Sequence, residues 1–132
     1  MISDRELIDL AIEARKAAYT PYSNFKVGAA LLSGNGEVYK GCNIENAAYT
    51  PTNCAERTAF FKAVSEGVTD FKAIAIVGGY DKEELKFCPP CGVCRQVMME
   101  FCKSDKFRVL LLDEKGEIKS YLLKELLPFG FG

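Results

Sequence analysis

The sequence predicts a single layered α/β domain over residues 1–132, and three observations support this fold class. Segments with helical periodicity alternate with short β-branched segments, which is typical of a sheet covered by helices. A length of 132 residues suits one domain with a substantial core. The sequence contains no internal repeat, linker or low-complexity segment that would divide it.

The first predicted elements are a helix and a β-hairpin. Residues 3–6 have the spacing of a capping box, and apolar residues then recur at helical spacing, which predicts a helix over about residues 4–18. Strands are predicted over residues 27–32 and 37–42. The Asn35-Gly36 pair between them is a strong hairpin signal.

The later elements continue the alternation after a polar loop at residues 43–49. They are predicted as a second helix from residue 53 or 54 to 66, a central strand over 71–77, a third helix over about 93–101, a strand over 107–112, a short strand over 117–121 and a short helix over 122–127. The sequence Gly78-Gly79 is expected to begin a charged loop. The second helix is apolar round most of its circumference, which indicates burial on several sides and a subunit interface.

Composition excludes several classes of protein. The net charge of −1 argues against non-specific nucleic-acid binding, which needs a basic surface. No apolar run is long enough to span a bilayer, and the N-terminus lacks a core of the signal-peptide type. A cytoplasmic protein is therefore expected, and its six cysteines are better explained as thiols and metal ligands than as disulfides.

Two separated groups of cysteines predict a zinc site. Zinc binds cysteine thiolates, and three protein ligands leave a fourth position open for water. The chain has no histidine, so thiolates must hold the metal and a carboxylate must move protons in any metal-assisted hydrolysis. The predicted ligands are Cys54, Cys91 and Cys94, and the predicted proton carrier is Glu56.

The spacing of these residues places the site at the N-termini of two helices. Positions two apart on a regular helix point about 200° away from each other, so Cys54 and Glu56 can face one metal only at a helix start. Cys91 and Cys94 are three apart and share one face at the start of the third helix. The helix N-termini, and a guanidinium such as that of Arg57, would offset the negative charge of three thiolates.

Other interpretations of the same residues stay open at this point. Glu56 could close a capping box with Asn53, and the cysteines could be ordinary buried thiols. Cys88 could supply a fourth sulfur to a closed, structural zinc site, so the pattern alone does not fix which sulfurs bind. Cys42 and Cys102 are expected to be core residues.

Five segments distributed over almost the whole chain form a combination of high specificity. They are PYSNFKVGAA at 21–30, GCNIENAAY at 41–49, CAER at 54–57, PCGVCRQ at 90–96 and LLPFGF at 126–131. By these segments the chain resembles the cytidine deaminases of the small, homotetrameric, three-cysteine zinc type. Cys54 takes the place of histidine in the H-x-E…P-C-x-x-C signature of the zinc deaminases. The resemblance implies a three-layer α/β/α sandwich with a central mixed sheet of about five strands.

The resemblance also implies an activity, the hydrolytic deamination of cytidine and 2′-deoxycytidine to uridine and 2′-deoxyuridine plus ammonia, in pyrimidine salvage. One Zn²⁺ per subunit would be held by Cys54, Cys91 and Cys94. Glu56 would take a proton from the water at the zinc, deliver it to N3 of the cytosine ring, and later protonate the leaving amino group. Arg57 and Gln96 would lie around the zinc ligands and hold them in place without binding the metal.

Further residues are assigned to the nucleoside substrate by the resemblance alone. Asn43 and Glu45 match residues that hydrogen-bond the ribose 3′-hydroxyl, and without the resemblance they would be interpreted as an ordinary loop. Phe25 matches an aromatic residue that packs on the pyrimidine, and the backbone of Ala55 is expected to contact the amide edge of the base.

The implied assembly is a homotetramer with its active sites at subunit interfaces. Tyr49 and Phe131 match aromatic residues that reach across such an interface. Three rival functions remain: a deaminase of a modified cytosine nucleoside such as blasticidin S, a zinc-stabilised interaction domain, and RNA or DNA editing. The acidic balance disfavours the last of these.

Overall fold

The structure, a computed structural model, describes residues 2–132, so Met1, which the predicted 1–132 domain includes, lies outside the described residues. Its elements in chain order are α1 (Asp4–Ala14), β1 (Phe25–Ser33), β2 (Val38–Cys42), α2 (Ala55–Ser65), β3 (Phe71–Tyr80), α3 (Gly92–Phe101), β4 (Arg108–Leu112), β5 (Ile118–Leu122) and α4 (Leu123–Leu126). The strands form one sheet in the order β2-β1-β3-β4-β5. The β3–β4 pair is parallel and the other three pairs are antiparallel, so the sheet is mixed.

Two hydrophobic cores lie on opposite faces of the sheet, because successive side chains of a strand point to opposite faces. On one face, α1 packs against alternate residues of β1, β3 and β4; this core includes Leu7, Ile8, Ala11, Ala30, Leu32, Ala75, Val77 and Leu110. On the other face lie α2, α3 and α4, with a core that includes Ala59, Phe60, Met98, Leu31, Ile76, Val109, Leu111 and Leu123. The predicted three-layer α/β/α sandwich with five strands is confirmed.

Signals that act over a few residues are found where the sequence predicts them. Ser3 and Glu6 form the capping box of α1. The helix ends earlier than residue 18, because the chain tightens into a 3₁₀ turn, Arg15–Ala17, before the next segment. The Asn35-Gly36 sequence lies in the turn of the β1–β2 hairpin, where Gly36 has a φ of +93° that suits glycine.

The expectation that Gly78 and Gly79 begin a loop is wrong. Both residues lie within β3, where they pair with Val27 and Lys26 of β1. The segment before Cys91 crosses this end of the strand, and the backbone N–H of Lys86 donates to the Gly78 carbonyl at 2.8 Å. Glycine is needed in the strand because a Cβ on Gly78 would lie only 2.8 Å from the sulfur of Cys88.

Within one chain, α2 buries one face rather than its whole circumference. Its buried residues are Ala55, Glu56, Ala59, Phe60 and Ala63. Phe61 is 47% exposed. The subunit interface that its apolar surface suggests therefore stays a prediction. Among residues 2–132, no helix is both long enough and apolar enough to cross a membrane.

The start of α2 rests directly on β2 at Gly41. A Cβ at this position would lie 2.4 Å from the carbonyl oxygen of Ala55 and 2.6 Å from the backbone nitrogen of Ala59. Both contacts are with helix backbone, which cannot move aside by a change of rotamer. The missing side chain of Gly41 therefore fixes the distance between the sheet and the residues that begin α2.

We expect Gly41→Ala to destabilise the fold by about 1–3 kcal/mol, as is usual when a group is forced into a well-packed core. Thermal unfolding followed by circular dichroism measures the effect. Gly92→Ala is the matched control, since a Cβ there meets no non-neighbouring atom of the described chain within 4 Å. Equal melting temperatures for the two variants would contradict the proposed close packing.

Candidate zinc site

Two helix N-termini bring the predicted metal ligands together. Cys54 is the N-cap of α2 and Cys91 is the N-cap of α3, and both have extended backbone angles. Neither side chain makes a capping hydrogen bond, so both sulfurs are available to a metal. Because Cys54 has an extended backbone, its side chain and that of Glu56, on the first turn of α2, can point towards the same metal position. This agrees with the expectation from their spacing.

The three sulfurs have the separations that a tetrahedral zinc ion needs. The Sγ atoms of Cys54 and Cys91 lie 3.8 Å apart, and those of Cys91 and Cys94 lie 3.5 Å apart. All three atoms lie within 4.8 Å of one another. A zinc ion with Zn–S bonds of about 2.3 Å holds its sulfurs about 3.8 Å apart. The donor set therefore fits zinc in both chemistry and spacing.

Cys88 is not part of this group. Among residues 2–132, the sulfurs that lie mutually within 4.8 Å are those of Cys54, Cys91 and Cys94. Cys88 instead packs over Gly78 of β3, and burial, with the nearby charges of Glu56 and Cys54, raises the pKa of its thiol to about 12. The structure thus forms a three-sulfur site, which leaves a fourth position for another ligand, rather than a closed four-sulfur site.

Glu56 lies beside the sulfurs and is only 4% exposed. Burial raises the pKa of its carboxyl to about 7, and the charge of Cys54 adds to this, whereas hydrogen bonds from its own backbone N–H and from Cys94 oppose it. The alternative capping box with Asn53 does not form, since Cys54 is the N-cap and the Asn53 amide donates to Thr58 Oγ1 at 3.1 Å. The carboxyl is therefore not used in capping.

Arg57 contacts the cysteine group as predicted. Its Nη2 donates to Cys54 Sγ at 3.3 Å. Hydrogen bonding from Cys94, and then from Arg57, lowers the pKa of Cys54 to about 5 although burial opposes it, and the same pairing raises the pKa of Cys94. Negative charge is thus favoured on the sulfur that the guanidinium faces.

The residues expected at the ribose hold the backbone of a neighbouring segment. Asn43 accepts from the Val27 N–H and donates to the Phe25 carbonyl, both at 2.9 Å. The Glu45 carboxylate accepts from the backbone N–H and the hydroxyl of Ser23 and from the Tyr22 N–H at 3.0 Å. The Ser23 hydroxyl is the main reason that the pKa of Glu45 is lowered. Both side chains therefore order the segment that leads into β1.

Phe25 lies at the start of β1 and is positioned next to Cys88. Its ring packs edge-on against Tyr80 with the ring centroids 5.0 Å apart. Because Gly78 has no side chain, the Phe25 ring and Cys88 lie side by side over it: a Cβ there would be 2.9 Å from Phe25 and 2.8 Å from the Cys88 sulfur. Phe25 thus forms part of the wall next to Cys88.

The remaining predicted residues differ in their burial and contacts. Ala55 is fully buried at the first position of α2. Tyr49, which has a φ of +63°, and Phe131 are 76% and 80% exposed. Gln96 donates from Nε2 to the carbonyl of Phe131 at 2.8 Å, so it fixes the C-terminal segment rather than a sulfur.

Two arginines make contacts that the sequence does not predict. Arg95 donates to the carbonyls of Pro90 at 2.8 Å and Leu126 at 2.7 Å, which ties the loop before Cys91 to α4. Arg15 binds backbone carbonyls at the ends of β1 and β3. Neither role has a local sequence signal, because main-chain carbonyls carry no residue-type pattern and most of these acceptors lie more than ten residues away.

Comparisons with known proteins agree with this geometry. A family profile described as the cytidine and deoxycytidylate deaminase zinc-binding region matches residues 1–110. Cytidine deaminase of Halalkalibacterium halodurans is 54% identical over 129 residues, which cover 97% of this chain and 94% of that protein. Cytidine deaminase of Sporosarcina psychrophila is 52% identical over 126 residues, with 96% and 89% covered. A crystal structure of cytidine deaminase from Burkholderia pseudomallei superposes with a TM-score of 0.88 at 45% identity, covering 98% of this chain and 100% of that one.

We expect Cys91→Ser to abolish stoichiometric zinc binding, because a serine hydroxyl does not ionise to replace a thiolate ligand at neutral pH. Cys88→Ala should keep about one zinc per chain, since three ligands suffice for a site of this kind. Metal content of the purified variants, measured by atomic absorption, gives the comparison. Loss of zinc from Cys88→Ala as complete as that from Cys91→Ser would overturn the three-ligand assignment.

Proposed function

The chain belongs to the cytidine and deoxycytidylate deaminase family, and we propose that it converts cytidine and 2′-deoxycytidine to uridine and 2′-deoxyuridine by zinc-dependent hydrolysis. The products include ammonia, and the reaction serves pyrimidine salvage. The observation that carries the proposal is the convergence of three cysteine sulfurs beside the buried Glu56 carboxyl. In this assignment Cys54, Cys91 and Cys94 hold the Zn²⁺, one per subunit.

Zinc, when bound, supplies Lewis acidity that makes water a nucleophile at neutral pH. Glu56 accepts a proton from the attacking water and delivers it to N3 of the cytosine ring, which makes C4 more electrophilic. The same carboxyl then takes the proton of the new hydroxyl on C4 and transfers it to the amino group, so that the C4–N bond breaks, ammonia leaves and the C4 oxygen becomes the carbonyl of the product. Its burial excludes bulk water, which keeps these protons between Glu56 and the substrate.

The residues that order the start of β1 also orient the nucleoside. Phe25 packs on the pyrimidine. Its ring lies beside Cys88, whose thiol is in turn close to the charges of Glu56 and Cys54, and this supports the role. The Ala55 backbone contacts the amide edge of the base. Asn43 and Glu45 bind the ribose 3′-hydroxyl through hydrogen-bonding capacity that remains after their backbone contacts, since amide and carboxylate groups each form several hydrogen bonds.

We expect Glu56→Gln to lower kcat by about 10²–10⁴-fold, the usual contribution of general acid–base catalysis, because the amide cannot carry the proton. Loss of cytidine absorbance follows the rate, and zinc content and melting temperature should stay unchanged. An interaction domain stabilised by zinc would predict no turnover by the unmodified protein. Full activity of Glu56→Gln would refute the proton-transfer role.

A deaminase of a modified cytosine nucleoside is separated from this proposal by competition. Asn43 and Glu45 favour an unmodified ribose, so cytidine should be consumed first when it is mixed with blasticidin S at equal concentration. The two products are resolved by chromatography. Preferential deamination of blasticidin S would exchange the two candidate substrates while leaving the chemistry of the site unchanged.

The assembly that we propose is a homotetramer in the cytoplasm, with active sites at subunit interfaces and with neither a membrane nor a nucleic acid as a partner. Tyr49 and Phe131 are large aromatic residues that are mostly exposed within one chain, which supports a contact with a neighbouring subunit. The exposed Phe61 of α2 provides further apolar surface for contact between subunits. Arg57 and Gln96 keep the sulfurs and the C-terminal segment in place.

Subunit mixing tests whether Phe131 completes the site of a neighbour. Phe131→Ala should retain Glu56 but lose most activity, and Glu56→Gln should retain Phe131 but lack the proton carrier. Unfolding and refolding the two variants together should restore activity well above that of either alone, because hybrid oligomers contain intact sites. Sedimentation checks the assembly; a fully active monomer would defeat the proposal.

A further inference from the structure

We propose that Arg15 is a positioning residue for substrate binding, and that it holds Phe25 in place from the face of the sheet opposite the zinc site. The proposal rests on the cytidine deaminase function given above, in which Phe25 packs on the pyrimidine. Arg15 does not contact the substrate. It acts on the backbone that carries Phe25 and Tyr80.

The Arg15 guanidinium joins the ends of two neighbouring strands. Its Nε donates to the carbonyl of Lys26 in β1 at 2.8 Å. Its Nη2 donates to the carbonyls of Gly79 at 2.7 Å and Tyr80 at 3.2 Å in β3. The planar, rigid guanidinium can bind several carbonyls at once, which the single ammonium group of lysine cannot do with the same geometry.

Gly28 makes room for the end of α1, and Gly79 lies beneath the guanidinium. A Cβ on Gly28 would lie 2.6 Å from the backbone nitrogen of Arg15 and 2.8 Å from its Cβ. A Cβ on Gly79 would lie 3.5 Å from Nη2 of Arg15. The end of α1 therefore packs against bare backbone of β1, and the arginine side chain extends over bare backbone of β3.

Alternation along the strands separates Arg15 from the residues that it supports. Gly28 and Gly79 lie on the face covered by α1, because each is two residues from a core residue of that face, Ala30 and Val77 respectively. Phe25 lies on the other face, because it is an even number of residues from Ala29 and Leu31, which belong to the core beneath α2. The guanidinium reaches the shared backbone from one side, and the aromatic ring leaves it on the other.

The first residues of β1 are also bonded along the edge that faces away from β3. The β1–β2 register begins at Gly28 and Cys42, so Phe25 and Val27 have no partner in β2. The Asn43 side chain takes that place by bonding the Phe25 carbonyl and the Val27 N–H. Arg15, from the α1 face, and the Asn43 side chain, at the edge beyond β2, thus bind the backbone of the three residues that begin β1.

This geometry predicts an effect on binding more than on the chemical step. Stacking on the pyrimidine is similar in the substrate and in the transition state, so loosening Phe25 removes uniform binding and raises KM with little change in kcat. We expect Arg15→Gln to raise the KM for cytidine about tenfold and to change kcat less than about threefold. Arg15→Lys should give an intermediate KM.

Arg108→Gln is the matched control. Arg108 also joins α1 to the sheet, through Asp4 at 2.9 Å, and it is half-buried like Arg15, but it lies at the opposite end of the strands. Its loss should lower the melting temperature without raising KM. An equal KM in Arg15→Gln and Arg108→Gln would reduce Arg15 to a structural role and overturn the proposal.

A double-mutant cycle tests whether the effect passes through Phe25. Because Phe25→Leu already removes the ring that Arg15 positions, adding Arg15→Gln to it should raise KM no further. Multiplication of the two effects on KM would contradict the route through Phe25.

A readout without substrate separates this proposal from the activity itself. With 4-fluorophenylalanine at position 25, the ¹⁹F resonance should shift or broaden in Arg15→Gln and stay unchanged in Arg108→Gln. If the unmodified protein does not turn over cytidine, the proposed function fails, and the ¹⁹F comparison still decides the role of Arg15. An unchanged resonance in both variants would overturn it.

Discussion

The zinc site depends on one constraint: the N-termini of α2 and α3 must lie next to each other. Cys54 and Cys91 are N-caps of α2 and α3, and their extended backbones project both sulfurs into the region where the helices start. Cys94 follows one turn later on the same face of α3. Gly41 sets the distance of α2 from the sheet, and Arg95 ties the loop before Cys91 to α4. A displacement of either helix would separate the sulfurs.

The same arrangement accounts for how negative charge is tolerated in a partly buried site. Three thiolates and the carboxylate of Glu56 would repel one another in a medium of low dielectric constant. The N-terminal ends of α2 and α3 bear partial positive charge, and Arg57 donates to the sulfur of Cys54. A divalent cation supplies the rest of the compensation. Without the cation, the raised pKa of the Glu56 carboxyl favours its protonated form, and the lowered pKa of Cys54 favours its thiolate.

The sequence predicts those features whose causes are local. The capping box at Ser3, the hairpin at Asn35-Gly36 and the helix start at Cys54 each follow from residues within a few positions of one another. The type of ligand was predictable because metal chemistry restricts zinc ligands to few residue types and the chain has no histidine, but only the structure separates Cys88 from the three clustered sulfurs. The extent of β3 was not predictable, since Gly78 pairs with Val27 of β1 and leaves space for Cys88, and neither partner is close to it in the sequence. The roles of the substrate residues came from the resemblance rather than from any physical pattern.

Glycine is ambiguous in a sequence because the same residue signals a turn and a close approach. Gly36 has a positive φ in a hairpin and is recognised by its asparagine neighbour, whereas Gly28, Gly41 and Gly78 lie in strands where another part of the chain occupies the space of a side chain. Only the partner distinguishes the two cases, and each partner here comes from a different part of the chain: α1 on one face of the sheet at Gly28, and α2 at Gly41 and the loop before α3 at Gly78 on the other face. The ends of β1 and β3 are thus packed from both faces at once. A change on the α1 face can therefore reach the zinc-site face through the shared backbone, without passing through any side chain of the hydrophobic cores.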